Sequence, residues 1–153
     1  MKILMICQGN ICRSPSAEYL LRKMLREEKL ETITIESAGL LKQTDGRVIH
    51  PKIAKWLKWY GCDAHRHHAT FITHKNLAEY SYIFAMDRSI EQKLRIKYAK
   101  DFQDNIYLFG EITGSKKQLD IADPMKTKRF LVTTRKINQL CRLWTSYFME
   151  EPE

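Results

Sequence analysis

Residues 1–21 read MKILMICQGNICRSPSAEYLL. The first six, MKILMI, are an apolar run of strand length. Cys7, Gln8, Gly9, Asn10, Ile11, Cys12, Arg13 and Ser14 follow as a loop, and Pro15 opens a segment with helical spacing. An apolar run, a loop and then proline at a first turn spell a strand–loop–helix unit. In such a unit the loop lies beyond a strand's C-terminal end and at a helix N-terminus. Unbonded N–H groups and the positive end of the helix dipole converge there, which suits an anion. The same spot holds a thiol. The dipole and the Arg13 guanidinium both favour a thiolate at Cys7, and the thiolate is the nucleophilic form. Arg13 offers a planar fork matched to two phosphate oxygens. Gly9 lets backbone approach a ligand, Asn10 tolerates a left-handed conformation, and Ser14 can donate a hydrogen bond to the sulfur. A cysteine followed six residues later by Arg-Ser is a weak signal alone; the preceding strand, the Gly-Asn pair and the proline give it weight. The loop lacks the Gly-Lys-Ser/Thr ending of a nucleotide-binding loop.

Residues 16–29 place Ala17, Leu20, Leu21, Met24 and Leu25 on one helical face. Residues 32–35 are β-branched and short, a strand ended by Ser37-Ala38-Gly39. Pro51 begins a second helix that runs through Tyr60 and closes at Gly61, with Trp56, Trp59 and Tyr60 expected to pack it. Residues 62–73 form a connector bearing His65, His67 and His68, and residues 76–78 suit a helical turn. Residues 80–86 read as a buried strand with Asp87 directly beyond it, residues 89–100 as an amphipathic helix, and residues 106–109 as a fourth strand. A loop over residues 110–121 leads to Asp123-Pro124, and residues 130–148 form the last helix. A single domain over residues 1–149 is expected, with residues 150–153 as a frayed tail. Strands alternating with helices predict an α/β fold: a four-stranded parallel open sheet with helices on both faces. Ligands of such sheets bind beyond the strand C-termini, near the switch in strand order. Cys7, Ser37 and Asp87 all fall at strand ends, and the Asp123 loop can reach the same rim.

The chain has 153 residues, enough for one domain with a sizeable core. Its formal net charge of +8 favours anionic partners in general. No nucleic-acid motif accompanies the lysines and arginines, and solvated helix faces account for them better than a nucleic-acid site does. No apolar run approaches a membrane span, and the first strand is too short for a signal peptide. Cys7, Cys12, Cys62 and Cys141 lack disulfide-framework spacing, so a reducing, cytoplasmic compartment is expected. No metal is expected: the nearest cysteines are five apart, and His65, His67 and His68 share one basic connector. A monomer or weak dimer is expected.

A thiolate attacking phosphorus needs three further things. Charge on the equatorial oxygens must be held, which Arg13 and the loop N–H groups suit. The leaving oxygen must be protonated, and water must later be activated. One carboxylic acid can do both in turn. Asp123, stiffened by Pro124, is the candidate. Asp-Pro is equally an ordinary turn start before a helix, and spacing does not choose between the two.

The run from Cys7 to Ser14, continued by Pro15, Ala17 and Glu18, resembles the signature of the low-molecular-weight protein tyrosine phosphatases. Ser37-Ala38-Gly39, Met86-Asp87 and Asp123-Pro124 resemble three further landmarks of that family, in order. The resemblance implies hydrolysis of phosphotyrosine and small aryl phosphate monoesters, without a cofactor, on a phosphotyrosine-containing protein. It implies Cys7 as the nucleophile that forms a cysteinyl-phosphate, and Arg13 as phosphate clamp and transition-state stabiliser. It implies Asp123 as general acid, then base. Gln8, Gly9, Asn10, Ile11, Cys12, Arg13 and Ser14 would form the phosphate loop, with Ser14 stabilising the thiolate. Asn10 would hold the loop's shape, supported by Ser37 and His67. Cys12 would pair with Cys7 on oxidation. Residue types alone leave His67 equally open as a polar residue of its connector.

The chain departs from the family at several positions. Met125 stands where an aromatic usually follows Asp-Pro, Gln8 where the loop is often apolar, and polar Gln43 near a position where a large residue often walls the cleft. These changes weaken the case for stacking on a phenyl ring without touching phosphate chemistry. Residues 126–134 are basic where the family is often acidic or Gly-rich, which suits either acidic sequences around the phosphosite or another anionic substrate. Two rivals stand beside this reading. An arsenate reductase on the same fold needs a close downstream cysteine pair, and none lies between Cys62 and Cys141. A module that captures phosphorylated partners without turnover is the other.

Overall fold

The structure, a computed structural model, describes residues 1–151. Its four strands are β1 (Lys2–Cys7), β2 (Thr34–Gly39), β3 (Tyr82–Ala85) and β4 (Ile106–Leu108), all parallel, in the order β2-β1-β3-β4. The order reverses beside β1, so the loop after Cys7 opens at the switch point, where an open sheet leaves a crevice. The helices are α1 (Arg13–Glu27), α2 (Pro51–Trp59), α3 (Arg88–Lys93), the single turn α4 (Pro124–Thr127) and α5 (Phe130–Glu150).

Strand side chains alternate between faces. Ile3 and Met5 of β1 join the core beneath α1, α2 and α5, while Leu4 and Ile6 join Ile90 and Leu94 on the α3 side. Helices therefore cover both faces, as expected. The larger core is closed by α5. Ile137, Leu140, Trp144 and Phe148 are buried there, each such side chain contributing about 1.5–3 kcal/mol. The Trp144 ring lies 4.5 Å from that of Phe84 and its indole N–H donates to Phe109 O at 2.8 Å, so a buried polar atom is satisfied.

Several elements differ from the sequence-based expectation. β2 begins later and runs through Ser37, Ala38 and Gly39, which pair with Met5, Ile6 and Cys7 rather than ending the strand. Small residues are required there because the Cys7 loop leaves directly alongside. A Cβ at Gly39 would meet Asn10 N and Gln8 O, both at 3.0 Å. α1 begins at Arg13, two residues before Pro15, which puts its first turn under the loop. The helix expected over residues 89–100 is α-helical only to Lys93 and then widens into a π turn (Leu94–Tyr98). Ala99 N–H bonds Leu94 O at 2.7 Å across that turn, and both residues are buried although five apart. The expected loop after β4 is wound into two 3-10 turns. Trp56 and Tyr60 are half-buried, but Trp59 is 73% exposed and packs no core. α5 continues to Glu150, and Glu151 N–H still reaches Tyr147 O at 3.1 Å; the rest of the expected tail, residues 152–153, lies outside the described residues. Among the described residues no helix is long and apolar enough to cross a membrane.

Candidate active site

The loop closes around the Cys7 sulfur. Asn10 N–H donates to Sγ at 3.2 Å, and Ser14 Oγ lies 3.0 Å from it. The Ser14 hydroxyl accepts from Asn10 Nδ2 at 2.8 Å, which leaves its own hydrogen for the sulfur. Arg13 and Ser14 sit in the first turn of α1, whose N–H groups have no intrahelical acceptor. Donors thus surround one sulfur on two sides, an arrangement that suits a thiolate and an anion above it.

Asn10 sets the shape of the loop. Its φ is +57°, an uncommon conformation for a residue with a side chain, and the residue is fully buried. Every polar atom it has is engaged. Nδ2 donates to Ser14 Oγ and Ser37 Oγ, both at 2.8 Å, and Oδ1 accepts from Thr70 N at 2.9 Å. Its carbonyl oxygen faces His67 Nε2 at 2.8 Å. Ser37 passes its own hydrogen to Glu18, whose other oxygen accepts from Arg22 at 2.5 Å. The strained residue is therefore over-determined by β2, α1 and the histidine connector. His67, left open on residue type, is buried and touches the loop.

The Arg13 side chain is 3% exposed and aimed by two acceptors. One terminal nitrogen donates to Asp87 Oδ2 at 2.6 Å and to Ile121 O at 2.9 Å. Burial works against the guanidinium charge, and the sulfur of Cys7 with Asp87 and Asp123 more than offsets it, so the proton is held above its ordinary range. Asp87 divides its carboxylate. Oδ2 holds Arg13, while Oδ1 caps α3 by accepting from Ile90 N at 2.8 Å. No site role for Asp87 was read from the sequence; its place at the end of a strand, directly before a helix, was the signal for one.

Asp123 stands on the opposite lip. Its Oδ1 caps α4 by accepting from Met125 N at 3.0 Å, and its Oδ2 lies 3.8 Å from Arg13 NH2. The side chain is 21% exposed, open to a ligand. Its loop is tied back to the sheet by Ile121 N–H, which donates to Met86 O at 2.9 Å. The turn-start reading of Asp-Pro holds, and the same carboxylate lines the cleft. Cys12 is buried, and its thiol is pushed up to about 12, first by burial and then by the negative charge of Cys7 and Asp123. It remains a thiol where Cys7 has donors around it.

Above the sulfur is a cavity of about 250 Å³. Ile11, Leu41, Thr44, Arg47 and Met125 wall it, with Asp123 at its lip. Gln43 is exposed and takes no part; Leu41 and Thr44, on either side of it, face the cavity instead. Gln8 lines it and is held by Lys93 Nζ at 3.3 Å from Oε1. Two larger hollows, of about 340 and 400 Å³, lie between α1 and α5 and beside Leu30. Neither is lined by a cysteine.

Comparison with known proteins agrees with this geometry. The family model for low molecular weight phosphotyrosine protein phosphatases matches residues 2–152. A low molecular weight phosphotyrosine protein phosphatase of Gallus gallus is 32% identical over 155 residues, covering 98% of this chain and 94% of that protein. YfkJ from Bacillus subtilis superposes with a TM-score of 0.93 at 26% identity, covering 100% of this chain and 97% of that one. Wzb from Vibrio vulnificus, in complex with benzylphosphonate, gives 0.84 at 26% identity over 95% of this chain and 97% of its own. With the family model spanning nearly every residue and this fold beneath it, the chain belongs to the low molecular weight phosphotyrosine protein phosphatase family.

Proposed function

We propose that this chain hydrolyses phosphotyrosine and small aryl phosphate monoesters through a cysteinyl-phosphate. The observation that carries the reading is the pairing of two facts. A sulfur receives Asn10 N–H and faces the Ser14 hydroxyl, and a buried guanidinium is aimed beside it by Asp87 and Ile121 O. In the first step the Cys7 thiolate attacks phosphorus and the ester P–O bond breaks. The departing phenolic oxygen takes the proton of Asp123. Arg13 and the loop N–H groups hold the three equatorial oxygens as charge moves across them. In the second step water attacks phosphorus, Asp123 takes its proton, and the S–P bond breaks. The thiolate and inorganic phosphate are released.

The walls support an aromatic ester. Ile11, Leu41 and Met125 give apolar contact to a ring standing on the phosphate. Wzb, a structural neighbour, binds benzylphosphonate, a ring one carbon from phosphorus. Cys62 and Cys141 have their thiols turned to the α1 backbone, against Tyr19 O at 3.6 Å and Ala17 O at 3.8 Å. That leaves Cys12 beside Cys7, one thiol fewer than the arsenate reductase relay needs. Under peroxide, Cys7 becomes a sulfenic acid, and the Cys12 thiol condenses with it to a disulfide with loss of water. A reducing cytoplasmic compartment fits such a thiol pair and a phosphoprotein substrate.

Steady-state kinetics with p-nitrophenyl phosphate test the reading. Cys7→Ser is expected to lower kcat about 10⁴-fold. Asp123→Asn is expected to lower it about 10²- to 10³-fold, and less with better leaving groups. Acid-quenched mass spectrometry should show one phosphoryl group on Cys7. Equal slow turnover by wild type and Cys7→Ser would leave a binding module.

A further inference from the structure

The positive charge of this protein is not evenly spread. Residues 46–62 and 124–149 together contain ten lysines and arginines and no carboxylate. The whole chain is only +8, so everything outside these two segments amounts to −2. Tertiary structure joins the two at the cleft. His50 N–H donates to Ile11 O of the sulfur loop at 2.9 Å, and the His50 ring stacks on Phe130 at 4.4 Å. Lys52 Nζ lies 5.3 Å from the same Phe130 ring. The imidazolium of His50 is disfavoured first by burial and then by the charges of Lys52 and Lys128.

Each segment begins in the cavity itself. Arg47 and Met125 both line it, and Lys126, Lys128 and Arg129 follow Met125 in an exposed turn. Lys128 takes φ +62°, so the chain turns sharply there rather than continuing α4. Among the described residues no carboxylate lies within salt-bridge distance of Arg47, Lys52, Lys126, Lys128 or Arg129. Elsewhere Lys2, Lys23 and Arg88 have such partners while Lys100, Lys116 and Lys117 have none among the described residues, so what sets these five apart is their position beside the cavity. A row of unneutralised cations running outward from a phosphate pocket is complementary to carboxylates placed beside the phosphate.

We infer that the α2–α4 rim is a docking track for acidic residues flanking the phosphotyrosine of a protein substrate, an inference that rests on the proposed phosphatase activity. A peptide is favoured over a lipid surface by position. The charges continue from the cavity lining, in line with a bound phosphoryl group, as the flanks of a substrate must be. The track selects among phosphoproteins by attracting acidic flanks and repelling basic ones.

The test uses three phosphotyrosine peptides of one core, flanked by Asp, Ser or Lys on both sides. Wild type is expected to favour the Asp peptide over the Ser peptide in kcat/KM by about five- to tenfold at low salt, and the Lys peptide least. The gap should close toward about 0.5 M salt. The double variant K126E/K128E should lose or invert the order while its p-nitrophenyl phosphate kcat/KM stays within about twofold of wild type. Equal kcat/KM for all three peptides would overturn the inference, as would a preference the double variant keeps. Phosphatidylserine vesicles that bind wild type but not K126E/K128E, with no peptide preference, would overturn it in favour of a membrane. Wild type inactive on p-nitrophenyl phosphate would instead sink the catalytic reading; affinity of Cys7→Ser for the three peptides then decides the docking track by the same order.

Discussion

Asp87→Asn separates the two jobs of one carboxylate. Asparagine keeps an oxygen for Ile90 N and remains a good N-cap, so α3 is spared. What is lost is the negative charge 2.6 Å from Arg13. At that distance two unit charges attract by about 6 kcal/mol at an effective dielectric near 20, gross of desolvation. Removing one partner of a buried pair leaves a net loss of about 3–5 kcal/mol. Three features reduce it here: Asp87 is 21% exposed, Ile121 O still accepts from Arg13, and Asp123 lies 3.8 Å from its other nitrogen. A loss of about 2 kcal/mol follows, or about 4–8 °C in Tm for a chain of this size. Inorganic phosphate supplies the missing charge in the cavity. Its stabilising effect on Tm should therefore be larger in the variant than in wild type. Misaiming the fork should cost kcat/KM about 10- to 100-fold with p-nitrophenyl phosphate. Differential scanning calorimetry with and without phosphate, beside the kinetics, reads all three. A Tm within about 1 °C of wild type together with unchanged kcat/KM would refute the claim that Asp87 aims Arg13.

Two further outcomes follow from single contacts. Gly39→Ala brings a Cβ to 3.0 Å from Asn10 N and Gln8 O, so the loop backbone must shift by a few tenths of an ångström; a loss of about 1–3 kcal/mol and about tenfold in kcat/KM is expected, and wild-type rates would show that the loop has room. His50 is held below its ordinary value of 6.5 by burial and then by Lys52 and Lys128, so the unfolded chain protonates first as pH falls. The stability this group contributes is full above about 6.5 and is lost as pH falls from there through the folded value. Proton NMR of the ring in Lys52→Gln/Lys128→Gln should show the midpoint rise while burial keeps it below normal; an unmoved midpoint would place the lysines too far away to matter.

Much of the site was legible because it is local. Cys7, Asn10, Arg13 and Ser14 lie within eight residues, and a strand followed by a helix start aims their donors by backbone geometry alone. Ser37 and Asp123 were legible as residues near a strand's C-terminal end and before a helix, although the sequence left Asp123 divided between cap and acid; the structure shows the cap, with the second oxygen 3.8 Å from Arg13. The π turn at Leu94–Tyr98 was not, because a helical pattern looks the same until Ala99 must share a core face with Leu94. Trp59 misled for a related reason: an aromatic on a short helix is counted as core until the neighbours that would cover it are known.

From sequence by itself came a parallel α/β sheet, a thiol at the mouth of a helix, and the residues that surround it. These depend on periodicity and on groups a few bonds apart. Tertiary structure alone decided what aims Arg13, since Asp87 and Ile121 are 74 and 108 residues away from it along the chain. It alone joined two acid-free segments into one basic rim beside the cavity. Charge and hydrogen bonding act through space, and only the folded chain sets which distant groups are near.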